Sequence, residues 1–165
     1  MDVFQAIRQR CSVRNYAEKT PTSGDILKVL EAGRWAPSGL NNQPWRYTLV
    51  ADPRVRAQLA RLTTSDAVIR SAPCLILICL DLNASYNRDK DLMAIGAFIQ
   101  NMLLEAYDLG LGTCWLGEIV NRKNEVTALM KWPPHLDFVA GVAIGYPDEE
   151  IGERERRTLD ELEIR

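Results

Sequence analysis

Cys74-Leu75-Ile76-Leu77-Ile78-Cys79-Leu80, entered through Pro73 and left through Asp81, is the longest apolar run in the chain. A short run without polar alternation fits a β-strand buried on both faces. Such a strand needs a layer of helices on each side, so the expected fold is an α+β or α/β layered domain with about four core strands. Cys74 and Cys79 stand five residues apart, so within a strand they face opposite layers.

Working toward the amino terminus, Asp52-Pro53 opens a helix, because proline suits the first helical position. Trp45 to Ala51 reads as a strand, and Pro37-Ser38-Gly39-Leu40-Asn41-Asn42-Gln43-Pro44 before it is a dense loop signal. A helix begins at a Thr22 or Ser23 cap, carries Ile26, Leu27, Leu30 and Trp35 on or near one face, and stops at Pro37. Cys11 to Thr20 reads as extended chain or loop. A short first helix starts at an Asp2 cap, carries Val3, Phe4 and Ile7, and ends near Arg10.

Toward the carboxyl terminus, the polar stretch Asp81 to Asp91 leads into the longest helix. Leu92, Ile95, Ile99, Met102, Leu103 and Ala106 mark it, with Gly110 just past its end. Thr113 to Leu116 is a short strand. Asn121 is the expected cap of a helix that ends before Trp132-Pro133-Pro134, and Phe138 to Tyr146 is the last core strand. From Asp148 the tail is charged until Leu159, Leu162 and Ile164; it reads as a solvated helix or an arm that packs on a partner. No repeat or second domain is visible, so residues 1–165 read as one domain.

Composition removes several functions. The net charge of −2 argues against a nucleic-acid binder. One histidine, His135, and four scattered cysteines without a C-x-x-C pair give no convincing metal site and suggest reduced, buried thiols. No G-x-S-x-G elbow supports a serine hydrolase, and no G-x-G-x-x-G fingerprint supports a Rossmann dinucleotide site. The amino terminus lacks the charged head and apolar core of a signal peptide, and the longest apolar run is too short for a membrane span, so a cytoplasmic protein is expected.

Four clusters carry possible chemistry. Arg8, Arg10, Ser12 and Arg14 fall where a helix gives way to extended chain; Ser12 and Arg14 would then share a side and could grip a phosphate, though the same residues suit a solvated basic helix end. The loop with Ser38, Asn41, Asn42 and Gln43 offers neutral hydrogen bonds beside Trp35 and Trp45, or is an ordinary turn. Gly110 to Glu118 places glycines where backbone N–H groups can reach a ligand. Arg154, Arg156 and Arg157 alternate with glutamates, as on a salt-bridged surface.

In order and spacing these segments resemble the FMN-dependent nitroreductase family. The matching motifs are Arg10-x-Ser12-Val13-Arg14-Asn15-Tyr16, then Ala36-Pro37-Ser38-Gly39-x-Asn41-x-Gln43-Pro44-Trp45 and Leu109-Gly110-Leu111-Gly112-Thr113-Cys114-Trp115-Leu116-Gly117. Gly145-Tyr146-Pro147 and Arg154 to Leu162 follow near the end. The resemblance implies a three-layer α/β/α fold with a central mixed sheet, in a homodimer of domain-swapped type with two shared FMN sites.

Carried over, Arg10 and Ser12 hold the phosphate with the Cys11 backbone, and Arg14 lies at flavin N1 and O2. Pro37, Ser38, Gly39, Asn41 and Gln43 belong to the loop reaching the flavin from the other subunit. Leu116, Gly117 and Glu118 lie near N5 and O4, and Arg154 and Arg156 reach the phosphate. The implied activity is ping-pong hydride transfer from NADH or NADPH through FMN to a nitroaromatic, quinone or similar acceptor, with no side-chain acid or base required. A flavin-storing module of the same fold is the alternative. The chain is shorter than familiar members between Leu80 and Leu92, and an asparagine that contacts the ring in larger members has no match around Leu62 to Arg70, so the resemblance does not set donor or acceptor.

Overall fold

The computed structural model describes residues 2–149 and 155–164. Its centre is a four-stranded sheet in the order β1-β2-β4-β3, with β1 at Trp45–Val50, β2 at Cys74–Asp81, β3 at Gly112–Leu116 and β4 at Leu136–Gly145. Every residue of β2 is buried, as its apolar run requires. Its side chains alternate between two cores. Cys74, Ile76, Ile78 and Leu80 face one side, and Leu75, Leu77 and Cys79 the other. The two cysteines therefore point into different layers.

On the first side lie α2 (Ser23–Arg34) and α5 (Arg88–Asp108), which bring Ile26, Val29, Leu30, Ile95, Phe98, Ile99 and Met102 onto the sheet. On the second side lie α3 (Pro53–Ala60), α4 (Asp66–Ser71) and α6 (Lys123–Met130), with Leu59, Ile69 and Val126 in the core. The expected three layers are present. All four strands pair antiparallel. The sheet is mixed only in that Ser12 makes an isolated parallel bridge to Thr113 at the β3 edge. The connections between paired strands carry helices, α3 and α4 between β1 and β2 and α6 between β3 and β4.

One irregularity keeps both layers filled. The register slips between Ile78, opposite Ala140, and Cys79, opposite Phe138, leaving Val139 as the extra residue. A bulge reverses the alternation beyond it. Ala140, Val142 and Ile144 face the α2/α5 side, whereas Phe138 turns to the other core.

The ends of the elements follow local chemistry. Asp2 caps α1 (Val3–Gln9), Thr22 caps α2, Asp52 caps α3 with Pro53 at its start, and Asn87 caps α5. Gly110 adopts φ 74 after α5, a left-handed value that glycine takes without steric cost. Three expectations differ. Leu27 and Trp35 are exposed, and Val29 takes their place in the core, because the buried face of α2 is set by α5. Asn121 lies inside a 3-10 turn, Glu118–Arg122, and α6 starts after it without a side-chain cap. Asp66–Ser71 forms a helix where none was expected. Among the described residues no helix is long and apolar enough to cross a membrane, and no group of side chains could hold a metal ion.

Candidate functional site

The amino-terminal segment forms a strap along the outer edge of β3. Arg10 leaves α1 with φ −59 and ψ 144, and the chain runs on extended. Val13 N–H donates to the Thr113 carbonyl at 2.8 Å. The Val13 side chain is buried over Gly112, where an added Cβ would lie 2.7 Å from Val13 Cγ2. With Val13 turned inward, the period-two alternation turns Ser12 and Arg14 outward together, as expected. The Tyr16 hydroxyl latches the strap by donating to the carbonyls of Val13 at 2.7 Å and Ala143 at 3.3 Å. Burial raises its pKa far above the ordinary phenol value, so it remains a donor.

The outward face of the strap presents backbone donors. The backbone N–H groups of Arg14 and Asn15 donate to the carboxylate of Glu149 at 2.5 and 3.4 Å. The Arg14 guanidinium turns back to the Ser12 carbonyl at 3.4 Å. Arg10 and Cys11 are half-buried beside Gly112 and Thr113 in a cavity of about 110 Å³.

At the far end of β3, Leu116 is buried and Gly117 opens onto free space, with nothing near the position of an added Cβ. Glu118 does not face that space. Its carboxylate accepts from the Thr63 hydroxyl and from Thr64 N–H at 3.0 Å. These bonds, Thr63 first, hold its acidity below the usual carboxylate range. The corner 116–118 is thus braced on the turn between α3 and α4. Thr63 and Thr64 escaped the sequence reading because a Thr-Thr-Ser-Asp run signals only a polar loop, without naming its partner.

The second cluster stands at the other edge of the sheet, ahead of β1. Three spacings separate the outer strands, about 14 Å. Within one chain the loop 37–43 is therefore not brought onto the strap. Its backbone is unusual: Leu40, Asn41 and Gln43 have φ of 55, 54 and 47. Left-handed values cost non-glycine residues roughly 1–2 kcal/mol each. Ser38 Oγ accepts from Gln43 N–H at 3.0 Å, and an added Cβ on Gly39 would fall 1.9 Å from the Tyr86 hydroxyl. Pro37 and Asn41 are exposed. Asn42 Nδ2 donates to the Asp91 carboxylate at 2.8 Å and to the Ala84 carbonyl at 3.0 Å.

Asp91 is fully buried. Burial pushes its carboxyl up, but bonds from Ser85, Asn42, Asn87 and Tyr86 outweigh this and leave it below the ordinary value. A depressed folded-state pKa gives stability that is present above the unfolded value near ~3.9 and is lost as pH falls through the folded value. Melting temperature should therefore fall more steeply below about pH 4 in the wild type than in Asp91→Asn. Parallel curves would mean that Asp91 is not ionised in the fold.

The Nitroreductase family model matches residues 7–67 and 62–146. The chain belongs to the nitroreductase family. A candidate NADH dehydrogenase/NAD(P)H nitroreductase of Archaeoglobus fulgidus is 31% identical, over 90% of this chain and 87% of that protein. The NADPH-flavin oxidoreductase of Vibrio harveyi is 27% identical, over 90% of this chain and 67% of that one. In three dimensions the chain is similar to a candidate nitroreductase of Desulfovibrio desulfuricans in complex with FMN, with a TM-score of 0.95, 43% identity, and coverage of 100% of this chain and 96% of that one.

The residues of this nitroreductase-family site fit FMN. Arg10, Ser12 and Arg14 share one strap, and two of its backbone N–H groups already hold a carboxylate, the behaviour a phosphate-binding segment requires. At the far end of β3, Gly117 is open on the side where a Cβ would stand. The structure gathers Arg10, Cys11, Ser12, Arg14, Leu116, Gly117 and Glu118 along one edge. It leaves Pro37, Ser38, Gly39, Asn41 and Gln43 at the other. Arg156 is exposed in the tail, its Nη1 on the Glu155 carbonyl at 2.7 Å, and Arg154 lies outside the described residues.

Proposed function

We infer that this nitroreductase-family chain is an FMN-dependent oxidoreductase driven by NAD(P)H. The observation that carries the reading is the strap on β3, which aligns Ser12 and Arg14 outward on the same edge as the open corner at Gly117. FMN, when bound, supplies the hydride chemistry.

The chain supplies grip and orientation. Arg10 and Ser12, with the Cys11 backbone, would hold the phosphate, and its charge of about −2 would be neutralised by Arg10, Arg14, Arg154 and Arg156 together. Arginine suits this through its fixed fork of donors. Arg14 stabilises negative charge at the pyrimidine edge of the ring. The Leu116–Glu118 backbone orients the reacting edge, while Glu118, tied to Thr63 and Thr64, keeps that backbone in place.

The loop with Pro37, Ser38, Gly39, Asn41 and Gln43 serves the flavin of a second copy, so the working unit is a homodimer. Support comes from its place at the opposite sheet edge and from apolar side chains exposed around the helices, among them Phe4, Leu27, Trp35 and Met93. The tail is an arm for that partner. Thr158 caps the single turn α7 (Leu159–Leu162), and Leu159 and Ile164 are 84% and 99% exposed, which leaves the tail's apolar side chains uncovered in one chain. Arg154 and Arg156 then reach the phosphate. Flat acceptors such as nitroaromatics and quinones fit a site open to a planar ring. Four unpaired cysteines agree with a reducing, cytoplasmic setting.

An anaerobic titration of the FMN-loaded protein with NADH and with NADPH tests this. The visible flavin band should bleach with at least one donor, and a band that persists with both overturns the oxidoreductase reading in favour of flavin storage.

A further inference from the structure

Asp91 occupies an unexpected place for a charge. It sits in the first turn of α5, wholly buried, and belongs to neither the strap nor the motif loop. A buried carboxylate is costly unless its oxygens are satisfied. Here one oxygen accepts from Asn42 Nδ2 at 2.8 Å. The other accepts from the Ser85 hydroxyl at 2.6 Å, Tyr86 N–H at 3.1 Å and Asn87 N–H at 3.3 Å. The amino end of a helix adds favourable field.

These bonds join two segments that nothing in the sequence connects. Asn42 lies between Asn41 and Gln43, two of the three left-handed residues of the loop. Its amide orientation is fixed, because both partners of Nδ2, the Asp91 carboxylate and the Ala84 carbonyl, are acceptors. Its Oδ1 is buried and has no hydrogen-bond partner among the described residues. The side chain is therefore held through Nδ2, by the Asp91 carboxylate and the Ala84 carbonyl. On the other flank, Tyr86, whose N–H is fixed by Asp91, lays its hydroxyl over Gly39. A strained backbone persists only where its surroundings over-determine it, and Asp91 grips this one at both ends.

We propose that Asp91 is a positioning residue for the cofactor: through Asn42 and Tyr86 it holds the strained 38–43 loop in the shape offered to the flavin. The proposal rests on the reading that this loop reaches FMN in the dimer.

The test uses full-length protein reconstituted with FMN, as wild type, Asp91→Asn, Asn42→Asp and the double exchange. FMN affinity is read from quenching of flavin fluorescence, ring environment from visible circular dichroism, and folding from the melting temperature of the apoprotein. Asp91→Asn should weaken FMN about tenfold or more and change the dichroism of bound flavin. Asn42→Asp, which sets two carboxylates face to face, should do the same. The double exchange restores a donor–acceptor pair and should recover most of the lost affinity. Wild-type affinity and dichroism in Asp91→Asn, or a double exchange no better than the weaker single variant, overturns the proposal.

Should Asp91→Asn not fold, Asn42→Ala takes its place, since it leaves the other three donors to Asp91 intact; the same loss supports the proposal and wild-type binding overturns it. Asn41→Ala separates the two ideas. Unchanged flavin binding there overturns the loop reading and the proposal with it, whereas a change there beside an unaffected Asp91→Asn overturns the role of Asp91 alone.

Discussion

Gly112→Ala should lose roughly 1–3 kcal/mol of stability, the usual cost of forcing a methyl into a filled site, and should bind FMN about tenfold more weakly or worse. The added Cβ would stand 2.7, 2.8 and 2.9 Å from three carbons of Val13. Gly112 is fixed by its pairing opposite Gly145 in the sheet, so the strap is the side that must yield. Moving Val13 moves Ser12 and Arg14, which have no other buried anchor between them. Denaturant unfolding and a flavin titration measure the two effects separately. Val13→Ala in the same chain removes the two Cγ contacts but keeps the Cβ at 2.8 Å, so it should ease the clash only in part and return part of the affinity. A Gly112→Ala protein that melts and binds like the wild type would refute the strap as the phosphate-binding element.

Phe98→Ala should be the most damaging single truncation, at about 3–5 kcal/mol. Phe98 is buried in α5, touches the position above Gly33, and stacks on Trp45 with ring centroids 5.1 Å apart at 23°. Gly33 lies in the last turn of α2 and Trp45 opens β1, so the cavity would undercut both ends of the loop between them. The urea midpoint should fall with little change in slope, because the surface exposed on unfolding is nearly the same. Phe98→Leu, which keeps most of the volume, should lose a smaller part. Equal midpoints for wild type and Phe98→Ala would show that this contact does not support the α2/α5 layer.

Much of this was legible before the fold was known, for local reasons. The run Cys74 to Leu80 has no polar face, so layers on both sides were unavoidable. Asp52-Pro53, the Thr22 cap and Gly110 declare element ends through the chemistry of single residues. The strap and the loop were readable as motifs. What escaped was set by contacts distant in the chain. Asp66–Ser71 is too short to show a helical period and rests on Val68 and Ile69 packing into the second core. Leu27 and Trp35 have the right spacing for burial, yet the contact with α5 selects the neighbouring face of α2. Asp91 reads as an ordinary polar helix start, and only the arrival of Asn42, forty-nine residues earlier in the chain, gives it a partner. The parity reversal at Val139 has no sequence signal, since it depends on what faces it across β2.

The strap and the strained loop occupy opposite rims of one sheet, so on the proposed reading a solitary chain carries two unmatched halves. A twofold pair completes both at once, because a self-complementary contact always forms in duplicate. Occupancy and association are then linked by mass action: cofactor drives subunits together, and dilution releases cofactor. Any affinity for FMN measured on such a molecule is a joint property of ligand and protein concentration.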